Sequence, residues 1–224
     1  MGKFDLTIKE VSEVKGEIQR FIDLEFSFLE IKDKNNLIFI LKKIVFLKYL
    51  IRQESSNYIL NALTSDIMYL IGNMKKGEER YYYFNIRSII EQSLRLINNL
   101  TSTDTISNSS VMENTDSIVN QYNASINMDI IKDEYIKSCR YVHGNENANM
   151  NLAVMYQDCI QEKGIIEGIS VKLNQLVKLL QALFDLIIIT QNNLIDAAFF
   201  RRKTILEYLV GTKSFIVFET YKQE

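Results

Sequence analysis

Apolar residues recur every three or four positions along most of this chain, and that period predicts helices. Ile8, Val11, Val14, Ile18, Phe21, Leu24 with Glu25, and Phe28 mark the stripe of a first helix over residues 7–31. The polar run at 33–36 predicts a break, followed by a helix over 37–52 that is apolar on most sides and therefore deeply packed. Ser55 or Ser56 is placed to cap a third helix over 57–74, ending in the turn region between Gly72 and Gly77. Over residues 78–100 the core face is Tyr82, Tyr83, Ile86, Ile90, Leu94 and Ile97. Residues 101–117 are rich in Ser, Thr, Asn and Asp and predict a flexible loop or lid, with a short helix at 115–126 beyond it.

The next helix, 128–143, carries Ile131, Tyr135, Cys139 and Val142 on one face, with Asn127 or Asp129 as its cap and Gly144 as its stop. A polar loop and an apolar segment at 152–160 lead to a long helix over 165–193. Asp185 is the only charge in its most apolar part, so it faces outward or finds a partner. The helical pattern resumes over 194–209 and ends at Gly211, and the alternation in the tail 213–221 predicts a strand or extended arm. The expectation is one all-α domain: a bundle of long antiparallel helices with a short extended C-terminal arm.

Composition agrees with that class, since the 224 residues include no proline and only eight glycines. A net charge of −2 supplies no global attraction to nucleic acid, so an RNA contact must come from a local basic patch. A recognition helix for DNA finds no support in charge or motif. Cys139 and Cys159 have no metal-ligand spacing and read as buried thiols in a reducing cytosol; neither a metal nor a cofactor is expected. The most apolar run, 176–190, is interrupted by Lys178, Gln181 and Asp185 and is too short and polar to span a bilayer. With no signal-peptide pattern at the N-terminus, a cytoplasmic protein without a membrane segment is expected.

Candidate chemistry concentrates in residues 129–145, where the chain's single histidine, His143, ends a helix with Arg140 three residues behind it. His143 lies about 80° from Tyr135 on a helical wheel, at the edge of the apolar face. An imidazole moves protons near neutral pH, and a guanidinium stabilises charge on phosphoryl oxygens. The plainer reading is a histidine that interacts with the last helix carbonyls and the dipole. Arg87, Glu91 and Arg95 form a second candidate, spaced four apart beside the core face of helix 78–100. They are either an ion-pair ladder or two arginines held by Glu91 toward a phosphate cleft. The cluster Arg201, Arg202 and Lys203 reads as a solvated face or an RNA contact.

Arg87-x3-Glu91-x3-Arg95 in one helix, a polar loop, and a later helix ending Tyr135-x6-Val142-His143-Gly144 together resemble the HEPN superfamily, over about residues 80–190. The resemblance implies a bundle of four or five helices, commonly dimeric. Many members are metal-independent endoribonucleases of toxin–antitoxin, abortive-infection and CRISPR systems. It implies His143 as the proton-transfer group with Arg140 beside it. Arg87, Glu91, Arg95, Lys137, Ser138 and Asn145 are implied phosphate or RNA contacts. The family places four to six residues between its arginine and histidine; this chain places two, so Arg140, Lys137 or an arginine of helix 78–100 stands in. The same departure fits a non-catalytic member: an adaptor, antitoxin-like partner or regulator that dimerises or binds protein.

Overall fold

The computed structural model describes residues 3–101, 103–122, 124–143 and 164–221, with the backbone alone for residues 3–8 and 143. The described residues form ten α-helices and no strand: α1 Lys3–Glu25, α2 Ile31–Gln53, α3 Tyr58–Lys75, α4 Glu79–Ile97, α5 Asn108–Gln121, α6 Met128–His143, α7 Ile169–Thr190, α8 Asn192–Ala198, α9 Lys203–Val210 and α10 Thr212–Thr220. The all-α expectation holds.

The core is built around α7, whose Leu176, Leu179, Leu180, Leu183, Phe184, Leu186, Ile187 and Ile188 are each at most 1% exposed. By length and composition Ile169–Thr190 could cross a membrane, but two-thirds of its apolar window is buried inside the protein, where it serves as the central core helix. Phe46 of α2 packs edge-on against Phe184 and stacks on Phe199, which follows α8. Ser88 donates to Asp66 at 2.7 Å and Asn73 to Asn85 at 2.8 Å, fixing α3 and α4 as an antiparallel hairpin. The predicted core face of α4 is buried at all six positions.

Several boundaries differ from expectation. The first helix ends at Glu25, because Phe26 and Leu29 enter the core and turn the chain, leaving Leu24 and Phe28 exposed. The polar run 33–36 then lies inside α2, where buried Asp33 accepts a hydrogen bond from Ser170 at the start of α7. Asn57, not Ser55 or Ser56, caps α3, accepting from the amides of Ile59 and Leu60. The expected loop over 101–117 is mostly helix: Ser107 caps α5 by accepting from the amide of Ser110, and Val111 and Thr115 are buried.

Asp185 is buried and finds partners in Ser214 and Gln181. The helix expected over 194–209 breaks into α8 and α9 at Phe199–Arg202, where Arg201 has a φ of 61°. The tail is α10 rather than an extended arm: Ser214 and Phe218, one turn apart, are both buried, and Asn192 donates to the Phe218 carbonyl.

Candidate functional site

The candidate site is the seam where α6 packs antiparallel along α4. Its polar centre is one carboxylate oxygen. Glu91 Oε1 accepts from Arg87 Nε at 2.8 Å, from Asn108 Nδ2 at 2.8 Å and from the Tyr135 hydroxyl at 3.2 Å. Asn108 also reaches the Tyr135 oxygen at 3.2 Å. Three helices thus converge on Glu91. The Arg87 and Glu91 side chains are 23% and 25% exposed, which leaves the pair accessible while lowering the local dielectric. The hydrogen bond from Arg87 to Glu91 makes the guanidinium still harder to deprotonate, and burial raises the Tyr135 phenol. Arg87 therefore stays a cation at any physiological pH.

Asn127 supplies the cap of α6, accepting from the Asp129 amide at 3.0 Å. Of the expected apolar face, Ile131 is fully buried, while Tyr135, Cys139 and Val142 are half-buried at the edge. Cys139 is thus not the buried thiol expected; it is a free thiol within electrostatic range of Arg87. His143 lies on α6 one turn past Cys139, about 40° from it on the wheel and about 60° from Arg140. Arg140 is exposed. Asn145, Gly144, Cys159 and the segment 152–160 lie outside the described residues, as does the side chain of His143.

Three of the expected phosphate contacts have other partners within the fold. Arg95 does not extend the ladder; it turns to the loop after α4 and donates to the carbonyls of Thr101 and of Asp104, the latter at 3.1 Å. Two carbonyls of that tight loop thus share the guanidinium, while Glu91 is already shared by three donors. Ser138 is fully buried and its hydroxyl donates to the Tyr135 carbonyl at 2.7 Å, so it has no face toward a ligand. Lys137 lies on the other edge of α6, its ammonium 5.2 Å from the centre of the Tyr83 ring, which stacks on Tyr141. The basic run 201–203 is engaged as well: Lys203 pairs with Asp196 at 2.6 Å, Arg202 with Glu10 at 3.7 Å, and Arg201 lies over Phe200.

Asn108 and the hydroxyl of Tyr135 were not legible as site groups. Asn108 sits in a stretch whose composition reads as loop, and Tyr135 counts as an apolar position in any periodicity. The Ser107–Ser110 capping pattern is the signal that would have placed Asn108 on a helix start. Comparison with protein-family models, with characterised proteins and with solved structures gives no match.

Proposed function

We propose that this chain is an HEPN-like, metal-independent endoribonuclease, acting in bacterial anti-phage defence or as a toxin, with its reaction centre at the α4–α6 seam. What carries the reading is that Arg87, held by Glu91, borders the α6 edge formed by Tyr135 and Cys139, one turn before His143. Arg140 flanks the same helix end. In this reaction His143 accepts the proton of a ribose 2′-hydroxyl. The 2′-oxygen bonds to the adjacent phosphorus, and the phosphorus–O5′ bond breaks. The leaving 5′-oxygen takes a proton, from the protonated imidazole or from water. Arg140 and Arg87 stabilise charge on the pentacovalent phosphate. The products are a 2′,3′-cyclic phosphate and a 5′-hydroxyl. In a symmetric dimer, two such helix ends would line one cleft.

A second reading, a non-catalytic module for dimerisation or partner binding, draws on Tyr69, Tyr81 and Phe84, which are 68%, 59% and 54% exposed along the α3–α4 hairpin. One experiment separates the two. Total RNA is incubated with the wild type and with His143→Ala in EDTA, with folding of both followed by circular dichroism. Cleavage by the wild type alone is the expected outcome. Cleavage by neither, together with concentration-dependent self-association, overturns the enzyme reading in favour of the module.

A further inference from the structure

Far along the chain from the α4–α6 seam, α1, α2 and α9 border an open cleft of about 560 Å³, lined in part by Ser12, Lys15, Gln19, Lys42 and Tyr208. Its volume is in the range that holds small ligands. Two ammonium groups share one aromatic ring: Nζ of Lys42 is 3.9 Å, and that of Lys15 5.1 Å, from the Tyr208 centroid. The ring's negative face attracts both cations but carries no net charge to neutralise them.

Neither lysine makes an ion pair with any described residue. The sequence explains why. The positions one turn from Lys15 are Val11, Ser12, Ile18 and Gln19, and those from Lys42 are Ile38, Phe39, Val45 and Phe46. Several acids on the surrounding helices have other partners: Glu13 pairs with Lys9, Glu10 with Tyr49 and Arg202, Asp23 with Gln19, and Glu207 with Thr212, while Glu17 stands exposed. Burial, and secondarily Lys15, make the Lys42 ammonium easier to deprotonate, as two uncompensated like charges require.

We propose that this cleft is an anion site that binds the phosphate or diphosphate group of a small phosphorylated ligand. A doubly charged phosphate between Lys15 and Lys42 replaces their repulsion with two charge-assisted hydrogen bonds. The Ser12 hydroxyl, one turn before Lys15, is a further donor, whereas the Gln19 amide one turn after it already donates to Asp23 at 2.8 Å. A long polyanion fits less well, because Glu13, Glu17 and Asp23 stand exposed along the same helix. The assignment is independent of the ribonuclease reading, since it uses none of the seam residues.

The test is isothermal titration with pyrophosphate and with ADP at constant ionic strength. The proteins are the wild type, Lys15→Ala, Lys42→Met and, as a surface control, Lys9→Ala, with circular dichroism on each. The expected result is saturable one-site binding by the wild type and by Lys9→Ala, weakened roughly tenfold or more in Lys15→Ala and in Lys42→Met. Absence of saturable binding by the wild type overturns the proposal. So does binding by Lys15→Ala, an exposed position that leaves the fold intact, as tight as that of the wild type. A short oligouridylate that binds as tightly as ADP and depends equally on Lys15 assigns the site to an RNA backbone and overturns the small-ligand assignment.

Discussion

Lys43 offers a quantitative check on the core. It lies on α2 with no exposed surface, and its ammonium donates to the Val210 carbonyl at 3.4 Å and sits over the rings of Phe39 and Phe184 at 4.5 and 5.5 Å. The nearest compensating acid is Asp185, which is itself occupied by Ser214 at 2.6 Å and Gln181 at 2.7 Å. Burial dominates, and the Lys43 ammonium is pushed down to about 8 from an ordinary 10.5. The unfolded chain therefore binds this proton more tightly than the folded chain does. The stability associated with Lys43 is complete above about 10.5 and is lost as the pH falls through about 8.

At pH 7 the penalty is about 3 kcal/mol, and about 2 kcal/mol of it is relieved by pH 9.5. Lys43→Met removes the titration and keeps most of the volume. Urea unfolding of both proteins, followed by circular dichroism at pH 7 and pH 9.5, isolates the effect, because groups common to both proteins cancel in the difference. The wild type should gain about 2 kcal/mol on Lys43→Met over that interval. A gap between the two proteins that stays constant to within roughly 0.5 kcal/mol refutes the reasoning and means that Lys43 is better solvated or better paired than its surroundings indicate.

Two further substitutions test the seam and the helix beside it. Glu91→Ala leaves Arg87, Asn108 and Tyr135 without their shared acceptor, and should lower unfolding free energy in urea by about 1–3 kcal/mol; no loss would mean that water serves the three donors equally well. Ser93 is fully buried in α4 and its hydroxyl has no hydrogen-bond partner. Ser93→Ala should leave the thermal midpoint unchanged or raise it, by about 1 kcal/mol of stability at most, and a fall of that size would reveal a partner for the hydroxyl.

Helix content and the buried stripe of α4 could be read from the chain alone. A helix with strong periodicity places its own side chains by local geometry, so Tyr82, Ile86, Ile90 and Leu94 had no alternative face. The pairing of Arg87 with Glu91 was legible for the same reason, being a four-residue contact within one helix. What the sequence left open depends on partners distant in the chain. Whether Asp185 faces solvent or the core is decided by Ser214, 29 residues later. Arg95 continues the ladder by spacing but is claimed by the loop carbonyls that the fold brings to it. The tail alternates like a strand in isolation but is a helix, with Ser214 bonded to Asp185 of α7 and the Phe218 carbonyl to Asn192 at the start of α8. Lys15 and Lys42 are two ordinary surface lysines in sequence. Only the packing of α1, α2 and α9 around Tyr208 makes them neighbours, because electrostatics depends on distance in space and the chain specifies that distance only through the whole fold.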